Sequence, residues 1–132
     1  MNLLSLVLMT HSLVRWVIEI VSAIALIWFL LVWLRGLRSE RLDRGLMAAF
    51  SGVIDIQVFL GIIYILWSGF AGAGFPRYRI EHAIIMIVAA VLAHLSVRWR
   101  DSDYRLRARN NLFLILGVMV LVIIGLSRVP GA

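Results

Sequence analysis

The chain has 132 residues, of which 63% are hydrophobic, and its mean hydropathy is +1.00. This composition is far from that of a soluble domain and indicates an integral membrane protein. The absence of cysteine excludes disulfide bonds, thiolate-held iron–sulfur clusters, c-type haem attachment and thiol nucleophiles, so imidazole is the strongest soft-metal ligand left.

Four apolar stretches are long enough to cross a bilayer, since a helical span needs about 20 residues. They cover residues 3–34, 46–69, 78–97 and 112–126. We interpret the first as a span and not as a signal peptide, because it lacks a basic n-region and a small-residue cleavage site and is too long. Short connections predict a single all-α domain over 1–132, an up-down four-helix bundle with the first and third helices diagonal to each other.

The net charge of +6 comes from arginine alone. Nine arginines lie in the connections after the first and third spans, and three lie at the opposite ends of the spans. The positive-inside rule therefore places both rich connections in the cytoplasm and both termini outside. Because this rule accounts for the arginines, we do not expect nucleic acid as a partner.

Three ionisable residues interrupt the first span at intervals of four: His11, Arg15 and Glu19. On a helix they share one slowly drifting stripe, which should face the bundle interior because charge is costly in lipid. Arg15 and Glu19 are expected to form an ion pair. In a purely structural role the two charges neutralise each other. In a functional role Arg15 faces a haem propionate or a quinone oxygen, and Glu19 relays protons.

The second span carries Asp55 and Gln57 near its middle. We expect Asp55 to join Arg15 and Glu19 as the third member of a charge cluster, with Gln57 as a neutral donor and acceptor. Two acids against one arginine would leave one acid protonated, which favours proton-linked chemistry.

The third span carries His82 near its outer end and His94 near its inner end. Counted from the outer ends, His82 and His11 lie at similar depth on diagonal helices, an arrangement that suits the two axial ligands of a haem iron. The alternative is that each histidine is a hydrogen-bonding or interfacial residue. His94 has no histidine at its own depth, so a capping or interfacial role is expected for it.

Three short motifs carry a resemblance: His-Ser-Leu-Val-Arg-Trp at 11–16, Gln57 followed by Leu-Gly-Ile-Ile-Tyr at 60–64, and Arg-Ile-Glu-His at 79–82 with Met86 behind it. Together they resemble a family of small four-span bacterial membrane proteins labelled cytochrome-b-like. The resemblance implies one haem b held by His11 and His82, with Arg15 nearby. It departs at Asp55, where the family pattern has a histidine.

These observations lead to three functional hypotheses. The first is a b-type haem protein for electron transfer in the bacterial cytoplasmic membrane, with His11 and His82 as iron ligands, and with quinone or a larger respiratory complex as further partners. Its candidate cofactor-binding residues are Arg15, Glu19, Asp55, Gln57 and Arg79. The second is a small proton-coupled transporter built on the membrane-embedded Glu19. The third is a haem-free accessory subunit whose polar cluster fixes helix packing, with a homo-oligomer as one possible assembly.

Overall fold

The structure is a computed structural model that describes residues 2–132. It consists of four helices: α1 Leu3–Arg35, α2 Glu40–Ser68, α3 Arg77–Ala93 and α4 Tyr104–Ser127. A π-helical turn at Gly69–Ala73 continues α2, and a 3₁₀ segment at His94–Trp99 continues α3. All four helices are long and apolar enough to cross a membrane. The predicted all-α class and the four apolar helices are therefore confirmed.

Local side-chain chemistry explains where α1 ends and α2 begins. Gly36 has a left-handed backbone with φ of 70°, and its N–H donates to the carbonyl of Val32, which ends α1. Ser39 then accepts a hydrogen bond from the Leu42 N–H through its hydroxyl and begins α2. Glycine after a helix and serine before one are the residues that satisfy free backbone groups at these positions. The turn is therefore short, and α1 and α2 pack as antiparallel neighbours.

The helices form a ring in which each one contacts its neighbours in the sequence. α1 packs against α2 and α4, and α3 packs against the same two helices. α1 and α3 are thus diagonal, as the short connections predicted. The core is apolar and includes the fully buried side chains Phe29, Phe50, Ile54 and Ile115.

Large aliphatic side chains also cover the outside of the bundle. On α1, for example, Leu13, Ile20, Ile24 and Ile27 are all more than half exposed. An apolar exterior of this extent is expected when the surroundings are hydrocarbon and not water.

α4 begins earlier than the hydropathy pattern predicts. Residues 98–111 were expected to form a polar connection, but the helix already begins at Tyr104. Asp103 precedes it and accepts a hydrogen bond from the Arg105 N–H, which caps the helix start. Consequently Arg105, Arg107 and Arg109 are helical residues, and Arg107 points into the bundle with only 7% of its surface exposed.

A buried ion pair joins α2 to α4 at the arginine-rich end. The Arg107 guanidinium donates two hydrogen bonds to Oδ2 of Asp43, at 2.7 and 3.0 Å, and Trp28 donates to Oδ1 at 2.8 Å. A third guanidinium nitrogen donates to the carbonyls of Arg100 and Ser102. With every charged atom partnered, this cluster has the satisfied geometry that a buried ion pair needs.

This ion pair leads to a prediction for folding stability. We expect Arg107→Leu to lower the free energy of unfolding by about 3 to 5 kcal/mol, because Asp43 would stay buried without its counter-charge. Arg109→Leu, on an exposed face of the same helix, should change it by less than about 0.5 kcal/mol. Unfolding in detergent micelles measures both. The double variant Arg107→Leu with Asp43→Leu should lose less free energy of unfolding than the two single variants lose in sum. Strictly additive losses would contradict the coupling of Asp43 and Arg107.

Candidate cofactor-binding cavity

His11 and His82 line the same cavity. The cavity has a volume of about 460 Å³ and lies near the end of the bundle opposite the arginine-rich end, between the diagonal helices α1 and α3. Its size falls within the range of about 300 to 1,000 Å³ typical of cofactor and ligand sites. The number of residues between each histidine and the end of its span predicted that the two histidines lie at similar depth. Their place in one cavity agrees with that prediction.

Each imidazole is held by a backbone carbonyl of a neighbouring helix. Nδ1 of His11 lies 3.2 Å from the carbonyl oxygen of Gln57, and Nδ1 of His82 lies 2.8 Å from that of Gly125. A carbonyl only accepts, so Nδ1 carries a proton in both rings, and in the neutral form of an imidazole with this tautomer Nε2 keeps its lone pair. Carbonyl partners of this kind orient histidines that bind metals through the other nitrogen.

Two glycines pack close to the side chains of this cavity. A Cβ at Gly61 would lie 3.1 Å from Cε1 of His11, and a Cβ at Gly125 would lie 3.1 Å from Sδ of Met86 and 3.6 Å from Nδ1 of His82. An alanine would therefore crowd the His11 ring at position 61 and the Met86 side chain at position 125, whereas its contact with the His82 ring would be an ordinary one. Helices α2 and α4 thus come close to the cavity side chains at positions where glycine has no side chain of its own.

Two buried polar atoms at the cavity have no partner among residues 2–132. They are Nε of Arg15 and Oε1 of Gln57, and both residues line the cavity. A buried polar atom without a hydrogen bond costs about 1 to 3 kcal/mol, so native proteins rarely keep one without a reason. Arg15 and Gln57 are therefore the polar residues of the wall with unused hydrogen-bonding capacity.

Arg79 brings a second cation to the cavity wall. Its guanidinium donates to the hydroxyl of Ser68 at 2.9 Å and stacks over the ring of Tyr64 at 5.6 Å. Tyr64 also lines the cavity, together with Tyr78. Guanidinium groups held in this way suit carboxylate or phosphate oxygens.

Glu19 does not join the cavity. Its side chain is exposed on the outside of α1, and the expected ion pair between Arg15 and Glu19 does not form in the described part of the chain. A step of four residues advances the helix by about 400°, so each step drifts by about 40°. From His11 to Glu19 the drift adds up to about 80°, which moves the third member of the stripe out of the bundle.

Asp55 also lies elsewhere than expected. Its carboxylate contacts Nε2 of His94 at 2.8 Å, and the two side chains are 47% and 52% exposed. The predicted cluster of Asp55 with Arg15 and Glu19 is therefore wrong. His94 is the C-cap residue of α3, in agreement with the capping role expected for it, and it also has an acidic partner in Asp55. Of the two polar residues expected on the second span, only Gln57 lines the cavity of His11 and His82.

The fold and the cavity together define a class of protein: a bundle of four helices able to cross a membrane, with an internal cavity lined by two histidines and two arginines. Comparisons with family models, with curated proteins and with solved structures give no match to this chain. Within residues 2–132, no group of three or more His, Cys, Asp or Glu side chains is placed to hold a metal ion. Metal binding by a pair of imidazoles does not require such a group.

The close packing of Gly61 against His11 can be tested with a matched pair of variants. Alanine in place of a glycine within a helix raises the free energy of unfolding by up to about 1 kcal/mol. Gly117→Ala should show this increase, because nothing lies within 4 Å of its added methyl group. Gly61→Ala should be less stable than Gly117→Ala by about 1 to 3 kcal/mol, because its methyl group crowds the imidazole. Detergent unfolding gives the difference, and ¹⁵N chemical shifts report movement of the His11 ring. Equal stability with an unmoved ring would contradict the packing argument.

Proposed function

We propose that this protein is an integral membrane b-type haem protein that transfers electrons, with one haem held between His11 and His82. The observation that carries the proposal is that two imidazoles from diagonal helices, each fixed through Nδ1 by a backbone carbonyl, line one cavity. A haem iron with two imidazole ligands needs one nitrogen from each side. Both Nε2 atoms are without a hydrogen bond in the described chain.

The rest of the cavity fits the same group. Haem carries two propionates, and Arg15 and Arg79 supply two guanidinium groups at the wall. The unpartnered Nε of Arg15 and Oε1 of Gln57 would gain hydrogen-bond partners from a bound polar group. Apolar side chains such as Ile18 and Val122 complete the lining and favour a flat hydrophobic ring. When bound, haem supplies one-electron cycling of its iron.

The residues of the chain would then have distinct tasks. The carbonyls of Gln57 and Gly125 fix the orientation and tautomer of the imidazoles and increase their basicity as ligands. Arg15 holds positive charge beside the cavity, which favours the reduced state of a bound redox group. Electron exchange with a membrane quinol or with a respiratory complex would give this protein its partners.

Two alternative functions find less support. A proton-coupled transporter built on Glu19 is not favoured, since Glu19 is exposed on the outside of α1. A haem-free accessory subunit would not explain why Arg15 and Gln57 keep unpartnered atoms at a cavity. Both alternatives remain outcomes of the spectroscopic experiment below.

The spectrum of the purified protein tests the proposal. After expression with ample haem, we expect a Soret band and a reduced-minus-oxidised difference spectrum of a low-spin b-type haem. His11→Ala and His82→Ala should each abolish that spectrum or convert it, because the loss of one imidazole leaves a five-coordinate or water-ligated iron. His94→Ala is the control, since His94 pairs with Asp55 and does not line the cavity, and its spectrum should stay nearly unchanged.

Two results would overturn the haem assignment. One is the absence of a Soret band in purified, folded protein. The other is loss of the band in His94→Ala with retention in His11→Ala, which would move the iron to the other end of α3.

We also propose an orientation in the bacterial cytoplasmic membrane, with both termini and the haem cavity at the outer face. It is supported by the nine arginines at one end of the bundle against three at the other. A phosphatase reporter joined after Ala132 should therefore be active, whereas a fluorescent reporter that matures only in the cytoplasm should stay dark. The reverse pair of results would invert the orientation and place the cavity inside.

A further inference from the structure

A second cavity lies at the arginine-rich end of the bundle. It has a volume of about 560 Å³ and is enclosed by the first turns of α2, the 3₁₀ segment after α3 and the beginning of α4. None of the residues that line it also lines the cavity of His11 and His82. It is therefore a separate candidate site.

The lining carries an excess of positive charge. Arg107 and Asp43 line the cavity, but they neutralise each other. Arg44 and Arg100 also line it, and neither guanidinium makes a hydrogen bond or ion pair with residues 2–132. The remaining carboxylate in the lining is that of Asp101. Two free guanidinium groups against one carboxylate favour an anionic ligand.

The cavity has a polar side and an apolar side. Ser51 and Ser96 line it with hydroxyl groups, and the Ser51 hydroxyl already donates to the carbonyl of Met47, which leaves its oxygen free to accept. Ala48 and Val97 also line it, and both are exposed on the outside of the bundle. A ligand that fits both sides has a compact anionic part and an apolar part that extends along the outer surface.

The cavity also lies at a suitable depth. α2 and its π-helical continuation contain 34 residues, a length of about 51 Å, which exceeds the hydrocarbon thickness of about 30 Å. The α2 residues that line the cavity belong to its first three turns, from Asp43 to Ser51. They therefore lie near the level where hydrocarbon meets lipid headgroups.

We propose that this cavity binds the headgroup phosphate of an anionic phospholipid. Arg44 and Arg100 bind phosphate oxygens, and an acyl chain passes over Ala48 and Val97. Basic pockets between membrane helices are suited to anionic headgroups, and guanidinium groups match phosphate geometry. The apolar wall distinguishes a lipid from free phosphate. The proposal depends on membrane insertion of the four helices and not on haem.

Native mass spectrometry of the delipidated full chain in detergent tests the proposal. Phosphatidylglycerol should bind at least about tenfold more tightly than phosphatidylcholine with the same acyl chains. Arg44→Gln with Arg100→Gln should reduce phosphatidylglycerol binding to the level of phosphatidylcholine. Arg41→Gln with Arg98→Gln is the matched control: it removes the same charge from α2 and the 3₁₀ segment, at exposed arginines outside the cavity, and should keep the preference.

A second variant separates shape from charge. Ala48→Trp places a bulky side chain at the apolar wall without changing charge, and should lower phosphatidylglycerol binding about tenfold. Equal loss in the two double arginine variants would overturn the site in favour of general charge attraction, as would equal binding of the two lipids by the unchanged chain. Displacement of phosphatidylglycerol by an equal concentration of inorganic phosphate would show a free-anion site instead of a lipid site. None of these binding measurements depends on haem, so failure of the lipid proposal can be distinguished from failure of the haem proposal.

Discussion

Hydrocarbon offers no hydrogen bonds, and this constraint explains where most of the ionisable side chains of this bundle lie. A polar group within a span is stabilised by a partner inside the protein or at a cavity, and Glu19, exposed on the outside of α1, is the exception. At the arginine-rich end, Asp43 finds Arg107 and Trp28, and every charged atom is satisfied. These contacts cross from α2 to α1 and α4, so one acidic side chain holds three helices together.

The cavity of His11 and His82 differs from the Asp43 cluster in how well its polar atoms are partnered. Its histidines are held by backbone carbonyls, yet Arg15 and Gln57 keep buried atoms without a partner in the described chain. A cluster selected only for packing would resemble that of Asp43 and Arg107, because unmade hydrogen bonds in an apolar interior lower stability. The contrast between two polar clusters in one small bundle is therefore the strongest structural argument for a ligand near His11 and His82.

Much of the fold follows from the sequence, because apolar length and short connections leave few arrangements open. Four spans, their ring order and the shared depth of His11 and His82 were all predictable from counting residues. The histidine counts from the arginine-rich ends differ by eight residues, about 12 Å at 1.5 Å per residue. The cavity nevertheless contains both rings, which shows that the count from the outer ends was the better guide to depth.

Other features were not predictable, because they depend on rotation about a helix axis. Asp55 and Gln57 differ by two residues, or about 200°, so only one of them faces the cavity. The start of α4 was hidden because its first two turns are rich in arginine and lower the hydropathy, although Arg107 is buried there by its pairing with Asp43. A charged residue near the end of a span can therefore belong to a solvated loop or form a buried ion pair, and the sequence does not distinguish these two cases.

α2 contributes to both cavities, since it supplies Gln57 and Gly61 to the cavity of His11 and His82 and Arg44 and Ser51 to the second cavity. The half-exposed pair of Asp55 and His94 adjoins the second cavity, which His94 also lines. This pair joins α2 to α3, the same two helices that position Gln57 and His82 at the other end of the bundle.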